Sequence, residues 1–214
     1  MLIEIKNRYT DEIIISGEYG NLIECLEKNK SKLRNANLRY MDLSNIDLMG
    51  GNLEGADLRD TTLRGSDFRN VHANGATFKG CDCRDSNLDG IDLWGCNIRG
   101  AIFREVCLGD ALMRGCDCQG TDFERADLSG ANCRGVNFRD GDLTKANCRG
   151  VNFLGANFTN CNVEGADFTG AILKRTLLEK KISFAEERHL LAIKRYEESI
   201  DKEIEEDNKN NIKK

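Results

Sequence analysis

Ala126-Asp127-Leu128-Ser129-Gly130-Ala131-Asn132-Cys133-Arg134-Gly135 is one five-residue phrase written twice. Each copy runs small residue, Asp or Asn, large apolar residue or cysteine, variable residue, glycine. Stepping outward by fives from Leu128, the central column reads Phe123, Cys118, Met113 and Leu108 toward the start, and Cys133, Phe138, Leu143 and Cys148 toward the end. From Leu33 to Leu178 the column has 30 positions, and among them only Ala73 is neither large nor a cysteine. No insertion breaks the phase. Small or β-branched residues recur two places before each centre, as at Ala36, Ser66, Ala126 and Ala156. Two places after it, 16 of the 21 glycines fall in one column, Gly50 to Gly170.

A period of five matches neither the 3.6 of a helix nor the 2 of a half-buried strand. It describes one side of a coil that turns a corner every five residues, with two inward residues, polar residues outward and a turn residue. Glycine suits the corner because it adopts positive φ without steric cost. Asp and Asn suit the flank because their side chains bond nearby backbone at turns. One such side cannot bury its inward face alone, so coils must stack on one another. The chain has no proline, as a backbone consumed by ladder hydrogen bonds requires.

The units Ala56-Asp57-Leu58-Arg59-Asp60, Ala126-Asp127-Leu128-Ser129-Gly130 and Ala156-Asn157-Phe158-Thr159-Asn160 resemble the A(D/N)LxG unit of pentapeptide repeat proteins. The resemblance covers residues 31–178. It implies a mainly β fold, a right-handed quadrilateral parallel β-helix with four repeats per coil, here joined to a small N-terminal cap and a C-terminal α-helix. At about 4.8 Å per coil such a solenoid is roughly 36 Å long. The opening residues also resemble the leader of some bacterial and phage members.

Residues 1–30 lie outside the repeat and predict a hairpin (Leu2-Ile3-Glu4-Ile5 and Ile13-Ile14-Ile15) followed by a short helix begun by Asn21 with Glu24 three residues on. A cap over the open first coil is their economical role. Residues 179–205 switch to helical spacing, with Ser183 and Glu186 as a capping box. Ile193, Tyr196, Ile200 and Ile204 form a stripe suited to pairing helices, so a homodimer through this end is expected. Residues 206–214 read as a flexible polar tail.

The 214 residues carry 31% charged side chains, and apolar runs reach only three or four residues, so no membrane span is expected. Nothing at the start reads as a secretory signal, which predicts a cytoplasmic protein whose ten cysteines are reduced. Cys81-Asp82-Cys83 and Cys116-Asp117-Cys118 look like metal ligands until the frame places them in the inward columns, where cysteine acts as a small hydrophobe. Cys107 falls outward and is the expected exposed thiol. No nucleotide, hydrolase or zinc motif is present, and the histidines are His72 and His189. The chain is therefore expected to need no metal or cofactor and to be no enzyme.

Folding the charges onto four sides separates them. The side through Leu33, Leu53 and Leu93 carries +4, the next +1, the third −3 and the fourth −4. The fourth holds Asp47, Asp67, Asp89, Asp110, Asp127 and Asp167 against Arg69 and Arg149. Two functions are expected, the first favoured by the outward residues and the second implied by the resemblance. One is a non-catalytic scaffold that binds a protein partner, with Trp94 flanked by Arg114 and Arg134, and Ile102, Cys107 and Leu112 as an apolar spot in a normally polar column. The other follows members that imitate DNA, bind DNA gyrase or topoisomerase IV and protect against quinolones; here the acidic side would serve. The net charge of −5 is weak for that role, and a pI near 5.3 argues against direct nucleic-acid binding.

Overall fold

Parallel bridges join residues twenty apart: Asn37 with Asp57, Asp42 with Thr62, Asp47 with Asp67, Asn52 with His72, and onward to Asn152 with Ile172. Four such positions in every twenty residues make each coil a four-sided loop of five-residue sides. The chain is a β-helix solenoid. The computed structural model describes residues 1–176 and Leu178, with Met1–Thr176 as one compact unit. The helix expected at 179–205, the dimer stripe Ile193, Tyr196, Ile200 and Ile204, and the tail 206–214 lie outside the described residues.

The period of five follows from complete use of the backbone donors. Around Ile98, the N–H of Cys96 bonds Leu93 O at 3.0 Å across the corner, while Asn97, Ile98 and Gly100 donate to Ala76, Asp117 and Gln119 on the coils either side, at 3.2, 2.9 and 3.0 Å. The fifth donor, Arg99 N–H, finds its acceptor in the Asn97 side chain at 3.1 Å. The Asp or Asn of each unit is thus the acceptor that the ladder does not supply.

Positive φ occurs at every corner from Asn35 to Arg175, sixteen glycines and thirteen other residues. Arg125 and Lys145 hold φ of 57° although a left-handed conformation costs an L-residue about 1–2 kcal/mol. Glycine relieves the corner; the ladder imposes it.

Both inward columns are buried throughout the middle coils. Phe138 packs against Phe123, Phe153 and Phe158 at centroid separations of 5.8, 5.7 and 5.2 Å. In the small-residue column, hydroxyls and thiols share one task. Thr61, Ser86 and Thr121 donate to Leu38, Leu63 and Ile98 carbonyls at 2.9, 2.6 and 2.7 Å. Cys81, Cys96 and Cys116 do the same to Leu58, Ala73 and Leu93 at 2.6, 2.9 and 2.8 Å. Buried polar atoms are tolerated here because each has a carbonyl within reach.

At the start, β1 (Leu2–Lys6) and β2 (Ile13–Glu18) form an antiparallel hairpin, and α1 (Leu22–Lys28) follows. The Asn21 side chain caps α1 by accepting from Glu24 N–H at 2.8 Å. These elements and the 3-10 turn Lys30–Lys32 that follows them supply acceptors that the first coil lacks beneath it: Lys6 O for Asn37 N–H, Lys30 O for Asn52 N–H and Glu27 Oε1 for Asp47 N–H. Arg8 ties the cap down by donating to Gly55 O and Ala56 O at 2.8 and 3.0 Å. An open rung would otherwise be an edge for aggregation. No helix among the described residues is long and apolar enough to cross a membrane.

Candidate functional site

Because each unit places an Asp or Asn before its centre and a variable residue after it, the sequence Asp-x-Arg puts a carboxylate and a guanidinium on the same outward side. Asp57 Oδ1 accepts from Arg59 N–H at 3.2 Å and from its Nε at 2.9 Å, while Oδ2 takes Nη2 at 2.7 Å. Asp67–Arg69 and Asp82–Arg84 repeat the arrangement at 2.6 and 2.5 Å. Other pairs cross between coils: Arg99 with Asp117 at 3.3 Å, Arg149 with Asp167 at 3.4 Å, and Arg104 with Asp122. On the second, third and fourth sides, then, most arginines have carboxylate partners.

The first side differs. Before Arg114 stands Leu112, and before Arg134 stands Asn132. Neither arginine has an ion-pair partner among the described residues. Arg134 N–H keeps a long bond to Asn132 Oδ1 at 3.4 Å; Arg114 N–H has no such acceptor, because leucine offers none. Conversely, Asp92 precedes Trp94, so its carboxylate accepts from Trp94 N–H at 3.2 Å with no guanidinium beside it. Trp94, Arg114 and Arg134 stand on successive coils, since Gly95 N–H bonds Arg114 O and Gly115 N–H bonds Arg134 O, both at 3.0 Å. Trp94 is 61% exposed and Leu112 47%. The cation–π contact among the described residues is Arg8 over Tyr9, at 4.8 Å; Trp94 stands unstacked, its ring free.

Ile102, Cys107 and Leu112 lie on three successive sides of one coil and face three directions, because a corner separates each from the next. Only Leu112 shares a side with Trp94. Ile102 is half-buried, with Asp82 and Asp122 as its ladder neighbours. At Cys107 the missing acceptor is replaced from the coil before: Gly109 N–H bonds Asp89 Oδ1 at 2.8 Å.

The acidic fourth side divides into two groups. Asp47 pairs with Lys30 at 3.6 Å, Asp67 with Arg69 and Asp167 with Arg149. Asp89, Asp110 and Asp127 have no cation within ion-pair distance among the described residues, and they line an open concavity of about 370 Å³ with Arg69 and Ser129. A second concavity of about 510 Å³ is lined by Lys79, Arg99, Gln119 and Asp140. Both are open to solvent. No group of metal-ligating side chains suited to a metal ion occurs among the described residues.

Asp57, Asp67 and Asp82, each bonded by the arginine two residues on, titrate low. The Arg84 hydrogen bond, opposed by burial, holds Asp82 below its ordinary value, and Arg69 does the same for Asp67. At Asp57 burial pushes upward, but the Arg59 hydrogen bonds and charge outweigh it. A depressed folded value gives stability that is present above the unfolded carboxylate value of about 3.9 and is lost as pH falls through the folded one. Urea midpoints should hold from neutral pH to about pH 4 and fall below it; Asp82→Asn should lower the plateau and shrink that fall. An unchanged acid limb in the variant would remove Asp82 from this account.

All ten cysteines are free thiols, and eight are buried. Burial pushes the thiols of Cys83, Cys118 and Cys133 well up, and those of Cys148 and Cys161 to about 12. Cys107 is the exposed one; partial burial and then Asp89 and Asp127 raise its value. A disulfide-exchange reagent should therefore label one thiol rapidly in the native protein and all ten after denaturation. Cys107→Ser should abolish the fast phase; a surviving fast phase would mean that an inward column opens readily.

The family model for pentapeptide repeats matches in eight copies over residues 29–65, 76–115, 107–144 and 142–175. The chain belongs to the pentapeptide repeat family. Solved pentapeptide repeat structures resemble it at low identity. A trypsin-treated variant of QnrB1, a plasmid-mediated fluoroquinolone resistance protein, is 21% identical over 62% of this chain and 72% of its own, with a TM-score of 0.41. HetL, involved in heterocyst differentiation regulation in the cyanobacterium Nostoc sp. strain PCC 7120, is 24% identical over 66% and 86%, with a TM-score of 0.21. A pentapeptide repeat protein of the Arabidopsis thaliana thylakoid lumen is 27% identical over 60% and 77%, with a TM-score of 0.33. No curated protein matches the sequence. As a pentapeptide repeat protein the chain presents four flat, laddered sides whose chemistry is set by the two columns flanking each centre, and these columns were legible in the sequence. Which arginines are left without a carboxylate was not.

Proposed function

We propose that this pentapeptide repeat protein is a non-catalytic scaffold that binds a protein partner through its first side. One observation carries the reading: of the exposed large apolar side chains of the described solenoid, Tyr40, Met49, Trp94, Leu112 and Ile172, the last three stand on that side and the other two are divided between the second and fourth. Solvated ladder surfaces have no need of them, and clustered exposed apolar groups mark contact sites. Tryptophan and arginine are the residue types that dominate binding energy in interfaces. Capture from a native-cell lysate on immobilised wild-type and Trp94→Ala protein tests it. A partner held by the wild type and lost by the variant supports the reading, and equal capture moves the contact elsewhere.

A second reading, DNA mimicry toward a type II topoisomerase such as DNA gyrase, is favoured by the unpaired Asp89, Asp110 and Asp127. An enzyme's basic DNA groove is drawn by acidic surface, and three carboxylates without ion-pair partners around one concavity are the strongest such feature on the fourth side. A supercoiling assay with and without a fluoroquinolone decides it. Inhibition or protection that vanishes in Asp89→Asn/Asp110→Asn/Asp127→Asn supports mimicry, and no effect at micromolar protein rejects it.

A further inference from the structure

On the reading that the first side is the contact surface, we propose that its partner supplies an extended segment in which carboxylates alternate with apolar residues. Arg114 and Arg134 receive the carboxylates, and Trp94 and Leu112 cover the apolar residues. The argument begins from what position 112 gives up. In Asp57-Leu58-Arg59 one carboxylate serves twice, accepting the backbone N–H of the arginine and neutralising its side chain. Leu112-Met113-Arg114 forgoes both, leaving a backbone donor without its turn acceptor and a guanidinium without its anion. Asn132-Cys133-Arg134 keeps the acceptor and forgoes the anion. Two neighbouring coils therefore hold bare cations side by side, about 4.8 Å apart along the ladder, next to an exposed indole and an exposed leucine. Local consistency is most often broken where a surface has a use.

Charge complementarity selects the occupant. Bare guanidinium groups bind carboxylates in bidentate fashion, and Leu112 and Trp94 ask for apolar cover. A nucleic-acid strand would supply anions but little aliphatic surface, and any long polyanion overlapping the adjacent fourth side meets Asp89, Asp110 and Asp127. Asp92, on the first side itself, adds to that repulsion. A short segment of protein sets its carboxylates on the two arginines and its apolar residues on Trp94 and Leu112; a long polyanion satisfies only the arginines.

Trp94 is the only tryptophan of the chain, so its emission reports on this surface directly. The probe is a short synthetic peptide alternating glutamate and leucine, titrated into the full-length protein, with a lysine–leucine peptide and oligothymidylate as comparisons. The glutamate peptide should shift the emission saturably, and Arg114→Glu/Arg134→Glu should weaken that response roughly tenfold or more, while Arg149→Glu on the fourth side leaves it unchanged. Leu112→Asp gives the sharper contrast. It restores the turn acceptor and pairs Arg114, so the thermal midpoint should hold or rise while peptide binding is lost; a merely structural role for position 112 would move both together. The proposal is overturned if the glutamate peptide gives no saturable shift, if the lysine peptide or oligothymidylate matches it, or if Leu112→Asp binds normally. Loss of this inference with Trp94-dependent capture intact would leave the scaffold reading standing with a partner of different charge; loss of capture with the peptide response intact would remove the scaffold reading alone.

Discussion

Phe138→Ala is expected to destabilise the solenoid by about 3–5 kcal/mol, the range for removing a fully buried aromatic side chain. Phe138 is 1% exposed and touches three other rings, with Phe158 stacked directly above it at an interplanar angle of 12°. Phe123 and Phe153 sit in segments held by ladder bonds to the coils on both sides, which limits how far they can close into the space. The cavity should therefore persist, and the cost should fall at the upper end. Urea unfolding followed by circular dichroism measures it. Phe138→Leu, which keeps most of the volume, should lose far less. Similar losses in the two variants would mean that ring-specific packing, and not apolar volume, sets the cost at this position.

Ile102→Pro should cost about 3 kcal/mol or more, because proline removes a donor that the ladder uses. Ile102 N–H bonds Cys81 O at 2.8 Å, and with the donor gone that carbonyl loses its partner between two packed coils. Coils touch only their neighbours, so a broken rung should also divide cooperativity. Two unfolding steps are expected where the wild type shows one. Ile102→Asn provides the control: it keeps the donor and supplies Arg104 N–H with the turn acceptor that isoleucine lacks, so it should be neutral or stabilising. Hydrogen exchange would show protection falling on both sides of residue 102 in the proline variant alone. A proline variant that melts in one step at the wild-type midpoint would show that this rung is dispensable.

The two predictions separate what holds the fold from what it displays. The inward columns and the ladder are generic, and any sequence with the same period would build them. The outward columns are free to vary so long as the Asp or Asn acceptor is kept or replaced. Cys107 shows replacement, through Asp89 of the preceding coil. Leu112 shows neither, and unlike Ile102, whose Arg104 finds Asp122 on the next coil, it leaves its arginine without a carboxylate.

The period of five, the inward and outward columns, the absence of proline and the identity of the corner positions were all properties of the sequence alone. They are local and repeated thirty times, so no long-range information is needed to read them. The glycine column under-described its own cause, however. Thirteen corners carry other residues at positive φ, because twenty-residue coil closure imposes the turn whatever residue stands there. Charge was the quantity that only the tertiary structure could decide. Summing the charged residues along a side gave +4, +1, −3 and −4, yet a formal charge that sits in a salt bridge is not available to a partner. Pairs such as Arg99–Asp117 and Arg149–Asp167 join residues eighteen apart, which meet only because one coil stacks on the next. That stacking leaves Asp89, Asp110 and Asp127 bare on one side and Arg114 and Arg134 bare on another.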